Sequence, residues 1–120
     1  MNIVLVEDNI LLSHQFRRIF EKNGYDVSVS PHAVGAIDLI DEMRPGVIVL
    51  DMLLTGSTAL PLLHELQSHD DLARIPVVMV TSLAPDLSFE TLKPYGVTHL
   101  LDKATMHPDD LLAAVRSLTL

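Results

Sequence analysis

The chain has 120 residues, no cysteine, and 16 acidic against 8 basic residues, a formal charge of −8. That length suits one domain with its own core, and the absence of cysteine excludes a disulfide framework and thiolate metal sites and fits a reducing, cytoplasmic compartment. The acidity, without a Lys/Arg cluster, argues against nucleic acid as a direct partner, and no apolar run is long enough to span a bilayer.

Met1 leads straight into the first of five runs rich in Val, Ile and Leu, without the basic start of a signal peptide. These runs are "NIVLV" (2–6), "YDVSV" (25–29), "GVIVL" (46–50), "PVVMV" (76–80) and "GVTHLL" (96–101). Segments with helical spacing separate them. The first carries Leu12, Phe16, Ile19 and Phe20 and stops at Asn23-Gly24. The second, 33–43, carries Ala36, Ile37 and Ile40 and stops before Pro45. The third sets Leu60, Leu63 and Leu66 on one stripe, and a short fourth, 87–93, is ended by Pro94 and Gly96. The last carries Leu111, Leu112, Val115 and Leu118 and opens with Pro108-Asp109-Asp110, acidic residues that suit the positive end of a helix dipole.

Five strand–helix alternations with short connections are what parallel βαβ crossovers require. The first, third and fourth runs are almost wholly apolar, as central strands covered on both faces are. "YDVSV" alternates and "GVTHLL" is mixed, which places them at the two edges. The expected fold is an α/β sandwich with a five-stranded parallel sheet. With no linker, repeat or low-complexity tract, residues 1–120 read as a single domain without an effector domain.

Ligands of open parallel sheets bind beyond the carboxyl ends of the strands, where strand order reverses. The residues that follow the strands are Glu7-Asp8, Asp51, Thr81-Ser82 and Asp102-Lys103. If the first and third strands are neighbours, Glu7, Asp8 and Asp51 converge and repel one another unless a cation intervenes. An all-carboxylate set suits Mg²⁺ or Mn²⁺ rather than zinc. Lys103 adds a positive charge and Thr81 a hydroxyl, so the group contains the parts of phosphoryl transfer, with Asp51 as a carboxylate nucleophile. Each residue alone has an ordinary explanation: Glu7-Asp8 as a helix cap, Thr81 as a loop hydroxyl, Lys103 as solvated surface. Complementary groups at four strand ends are what favour a site.

"IVLVEDN", "VIVLDMLL", "PVVMVTS" and "LLDK", in that order and spacing, resemble the receiver domain of two-component response regulators over essentially the whole chain. The resemblance implies a flavodoxin-like (βα)5 fold with strand order 2-1-3-4-5. It also implies that Glu7, Asp8, Asp51 and the backbone carbonyl of Leu53 bind Mg²⁺. Asp51 would then accept a phosphoryl group from a sensor histidine kinase or histidine phosphotransfer protein. Thr81 and Lys103 would contact the phosphate and move their loops, signalling to a downstream output protein or domain. In the family, phosphotransfer helices dock near the start of the first helix, so Ile10 and Leu11 are candidates for that patch, although scattered exposed apolar residues are ordinary.

The departures from the family pattern concern output. Thr55 stands where proline is usual, removing a rigid φ constraint and predicting a more mobile loop. Ala59 stands where glycine is common. Ala104 follows the lysine in place of proline, and because a cis bond there costs about 3 kcal/mol it is expected to be trans. Leu100 occupies the aromatic switch position, so the usual ring movement is muted or replaced, unless Leu100 is simply edge-strand packing. Leu53 and Leu83 should flank the phosphate and hinder the attacking water. The six histidines are dispersed and read as surface residues. A second reading is a receiver-fold interaction module that binds partners regardless of phosphate. A third, an aspartyl-nucleophile phosphatase, lacks the general acid two residues on, where Leu53 sits. No nucleotide loop or nucleophile elbow is present.

Overall fold

The computed structural model describes residues 1–119. Its elements in chain order are β1 (Asn2–Val6), α1 (Ile10–Lys22), β2 (Asp26–Ser30), α2 (Ala36–Met43) and β3 (Val47–Leu50), followed by the two-residue strands β4 (Leu53–Leu54) and β5 (Ser57–Thr58). Then come α3 (Leu60–Gln67), β6 (Val77–Thr81), the single turn α4 (Phe89–Leu92), β7 (Val97–Asp102) and α5 (Pro108–Leu118), with 3-10 turns at Leu72–Arg74, Ala84–Asp86 and Lys93–Tyr95. The main sheet is five-stranded in the order β2-β1-β3-β6-β7, and every pair in it is parallel. This is the flavodoxin-like arrangement, with β4 and β5 added as a small antiparallel hairpin outside the sheet.

Alternating residues of the central strands feed two cores. Ile3, Leu5, Val47, Val49, Val78 and Val80 meet Phe16 and Phe20 of α1 and Leu111 and Val115 of α5. Val4, Val6, Ile48, Leu50 and Met79 meet Ile40 of α2, Leu63 and Leu66 of α3 and Leu92 of α4. Burial on both faces is why these strands lack the in–out alternation of half-exposed sheets.

Several boundaries and stripes differ from the sequence reading. Each strand after the first starts one residue later than its apolar run. The second helix begins at Ala36 rather than residue 33, because Gly35 adopts a left-handed φ of 87° as its N-cap. In α1 the buried stripe is Ser13, Phe16 and Phe20, with Leu12 and Ile19 half-buried beside it. Leu60 is not part of the α3 stripe: it is 40 % exposed at the first helical position, and Leu62 takes the inward place. The fourth helix is confined to Phe89–Leu92: a 3-10 turn containing Pro94 follows it, and the chain turns at Gly96. Asn23 and Gly24 do end α1, Gly24 at φ 88°, a conformation only glycine adopts without strain.

The start of α5 is secured by His107, an exposed residue. The His107 ring nitrogen accepts from the Asp109 N–H at 3.1 Å, while the Asp110 carboxylate accepts from the His107 N–H at 2.8 Å, a reciprocal capping box. His107→Ala leaves the Asp109 donor without its partner, so the variant should unfold about 1 kcal/mol more easily in urea. An unchanged midpoint would show that water serves the cap equally well. His107 is on the surface as expected, whereas His99 is half-buried on β7, its ring nitrogen 3.0 Å from the Thr98 hydroxyl. On one outer surface of α1, His14, Arg17, Arg18 and Lys22 lie together with Glu21, which pairs with Arg17 at 3.4 Å.

Candidate functional site

Three backbone bonds extend the ladder past the strand ends and fix where the polar residues emerge. The Glu7 N–H donates to the Ser30 carbonyl, the Asp51 N–H to Val6 and the Lys103 N–H to Thr81, each at 3.2 Å. The residues following β1, β3 and β7 are thereby held in sheet register. The reversal of strand order lies between β1 and β3, and there the Glu7, Asp8 and Asp51 carboxylates converge, with one oxygen of each within 4.8 Å of the others.

Lys103 enters this cluster from β7. Its ammonium is 2.6 Å from Glu7 Oε1 and 2.6 Å from Asp51 Oδ2, bridging two carboxylates that are almost fully buried. Both remaining oxygens are also used. The Asn9 N–H donates to Glu7 Oε2 at 3.2 Å, and the Leu53 N–H donates to Asp51 Oδ1 at 3.2 Å. Asn9 is in addition the N-cap of α1, its side chain accepting from the Leu12 N–H, so the helix is not capped by Glu7 or Asp8. Among the described residues no buried side-chain polar atom lacks a partner.

The electrostatics follow from this wiring. Burial pushes the Glu7 carboxyl above its ordinary value, and the hydrogen bonds from Lys103 and Asn9 offset only part of that. Desolvation acts to lower Lys103, but its hydrogen bonds to Asp51 and Glu7 outweigh it and hold the ammonium above the usual lysine value. Asp8, nearer the solvent, lies below the ordinary carboxylate value, chiefly because the Thr55 hydroxyl donates to it.

Thr81 is fully buried at the end of β6, its hydroxyl oxygen accepting from the Leu83 N–H at 3.2 Å. Leu53 lies on β4, 46 % exposed beside Asp51. Leu100 is half-buried on β7 and packs on the core shared by α2, α3 and α4, the place that edge-strand packing predicts. Ile10 and Leu11 open α1 at 68 % and 76 % exposure. Leu11 borders an open groove shared with His14, Gln15, Arg18, Ile19 and Pro108. The Lys103–Ala104 peptide is trans, as is every other peptide bond among the described residues.

The segment after Asp51 forms a small hairpin. Leu53 pairs with Thr58 and Leu54 with Ser57, Gly56 turns the chain at φ 78°, and Thr55 Oγ1 donates to Asp8 Oδ2 at 2.6 Å. The proline constraint is replaced by a hairpin and a hydrogen bond. The sequence marks Thr55 only as a missing proline, because its bond to Asp8 joins positions 47 residues apart.

The profile of the response regulator receiver domain matches residues 3–116. The chain belongs to this family. Among its relatives is the polar-differentiation response regulator DivK of Brucella anthropi, 31 % identical over 107 residues, which are 89 % of this chain and 87 % of DivK. The receiver domain is also similar to the BeF3-activated N-terminal receiver domain of Klebsiella pneumoniae RstA, at 28 % identity and a TM-score of 0.81, covering 98 % of this chain and 97 % of that one. The chemotaxis protein CheY4 of Vibrio cholerae, at 21 % identity and a TM-score of 0.83 over 98 % of this chain and 97 % of CheY4, shares the fold. No helix among the described residues is long and apolar enough to cross a membrane.

Proposed function

We propose that residues 1–120 form one receiver unit that accepts a phosphoryl group on Asp51 from a phosphohistidine donor, a sensor histidine kinase or histidine phosphotransfer protein, in the cytoplasm. The observation that carries this reading is the Lys103 ammonium, 2.6 Å from both Asp51 and Glu7 within a cluster of three carboxylates. Such a cluster needs more positive charge than one lysine supplies. Its donor set is all oxygen, which fits a hard divalent cation, Mg²⁺ or in its place Mn²⁺. Glu7, Asp8 and Asp51, with the Leu53 carbonyl, would hold the ion, and when bound it supplies charge to offset the oxygens of the incoming phosphoryl group.

In the transfer, an oxygen of the Asp51 carboxylate attacks phosphorus in line, forming the P–O bond of an acyl phosphate as the N–P bond of the donor breaks. The donor imidazole leaves with the electron pair and takes up a proton. Lys103, already bonded to Asp51, stays as a counter-charge to the phosphoryl oxygens. Thr81 now accepts from Leu83, so its own proton is free to be donated to a phosphoryl oxygen. Using it draws on the segment 81–87 and carries the signal to an output protein or domain. With Leu100 already packed on the core, output relies on that segment and the one after Lys103 rather than on a ring turning inward. The exposed Ile10 and Leu11 supply the apolar part of the donor's docking surface.

Incubation with acetyl phosphate and Mg²⁺ should add one phosphoryl group by intact mass, and a chelator should prevent it. No adduct from the folded protein under any condition moves the assignment to a phosphate-independent interaction module. The Leu53 and Leu83 amides bind Asp51 and Thr81, the Leu53 side chain being exposed and that of Leu83 packed partly on the core, and we expect both to restrict water at the phosphoryl group. Replacing both with asparagine and lysine should speed loss of the adduct several-fold, as followed by mass against time. Equal decay would show that these side chains do not restrict water.

A further inference from the structure

The hairpin that follows Asp51 touches two of the three clustered carboxylates from one arm. The Leu53 amide holds Asp51 Oδ1 at 3.2 Å, and two residues on the Thr55 hydroxyl holds Asp8 Oδ2 at 2.6 Å. Between them Leu54 is buried in the core, and beyond them Gly56 and the pairing with Ser57 and Thr58 close the turn. The arm is thus fixed at its middle and its end, and the threonine side chain, stiff about χ1, is presented in one direction. Asp8 is the least buried of the three carboxylates, and Thr55 is its side-chain hydrogen-bond donor from outside the acid pair. That hydroxyl is the largest influence on the Asp8 carboxylate, ahead of its bonds to Glu7 and to backbone.

We propose that Thr55 is a positioning residue of the cation site: its hydroxyl fixes the orientation of Asp8 so that the carboxylate faces Glu7 and Asp51 before a divalent ion arrives. The inference rests on the reading of Glu7, Asp8 and Asp51 as that site. A carboxylate has about four lone-pair sites, so accepting one hydroxyl leaves the others for an ion. Groups that hydrogen-bond to metal ligands set ligand orientation, and their loss typically weakens binding by roughly 10–100-fold. An exposed hydroxyl on a hairpin belongs at the lower end of that range. The same bond makes the hairpin responsive to the site, because any movement of Asp8 on ion binding is passed to Thr55 and to the strand pairing behind it.

The test is the affinity for Mn²⁺ alone, read from the spin-resonance signal of the free ion, in the whole chain and four variants. Asp8→Asn establishes that the binding measured is at this site. Thr55→Val keeps the shape without the hydroxyl and should bind Mn²⁺ about tenfold more weakly, while Thr55→Ser should restore most of the loss. Ser88→Ala removes the side-chain cap of α4, away from the three carboxylates, and should leave affinity within about twofold of wild type. Urea unfolding in chelator identifies any variant whose fold has suffered, and if Thr55→Val is one, Thr55→Ala takes its place and should show the same loss against Thr55→Ser. If Thr55→Val binds as tightly as wild type, Asp8 needs no such orientation and the inference fails while the cation site stands. Tighter binding by Thr55→Val also overturns it, since the hydroxyl would then be competing with the ion. If wild type shows no Asp8-dependent binding, the cation-site reading fails and takes this inference with it.

Discussion

Asp51→Asn should abolish phosphoryl uptake from acetyl phosphate and from a phosphohistidine donor, with no adduct in the intact mass under conditions that fully modify wild type. The amide keeps the volume of the carboxylate, and its oxygen can still accept from the Leu53 N–H, so the hairpin keeps one anchor. What disappears is the anionic nucleophile. The loss should therefore be complete in chemistry and small in structure, with an unchanged circular dichroism spectrum. An adduct that persists in Asp51→Asn would place the acceptor elsewhere, with Glu7 and Asp8 the nearest alternatives, and would remove the assignment of Asp51. Loss of the wild-type adduct when a chelator is present ties the same step to a divalent ion.

Lys103→Ala should have the largest effect on stability. In the absence of metal it removes the one ammonium that bridges Glu7 and Asp51, whose side chains are 2 % and 8 % exposed. Taking away one partner of a wholly buried pair costs roughly 3–5 kcal/mol, because the other charge is left without compensation. The Lys103 side chain keeps some contact with water at 17 % exposure, so a loss of about 2–3 kcal/mol is expected. The pH dependence identifies the cause. Burial already raises Glu7 and the lysine opposes it, so without Lys103 the folded-state pKa of Glu7 rises further. A carboxyl whose folded pKa lies above its unfolded one makes the folded state bind more protons, and stability then falls as pH rises through the folded pKa. The deficit of Lys103→Ala should thus be smaller at pH 5 than at pH 8, measured by urea unfolding in chelator. Adding Glu7→Gln should recover much of it at pH 8. A deficit independent of pH and insensitive to Glu7→Gln would assign the loss to the packing of the lysine stem.

How much of this was legible in the sequence follows from which interactions are local. Strand and helix periodicity shows directly in residue order, because a strand covered on both faces is apolar at every position. Asp51 at the end of "VIVL", the acid pair after β1 and the lysine after β7 mark strand ends by a change from apolar to charged, and the family resemblance supplied the roles they are expected to play. Boundaries were less legible. The end of α1 could be read because Asn-Gly is a local stop, whereas the start of α2 waited on Gly35 taking a left-handed conformation that no spacing reveals. Leu60 matched a helical stripe and is nonetheless exposed, since only the packing of neighbouring elements decides which side of a first turn faces inward.

What the sequence determined by itself was the alternation of elements, the five-stranded parallel class and the set of charged residues at the strand ends, all properties of contiguous residues or of a pattern along the chain. The tertiary structure decided the pairings: Lys103 with both Glu7 and Asp51, and Thr55 with Asp8 across 47 positions of sequence. A missing proline read as looseness in one dimension becomes a second anchor in three. Hydrogen bonds depend on distance and angle in space, and strand order, not residue order, places these side chains within reach of one another.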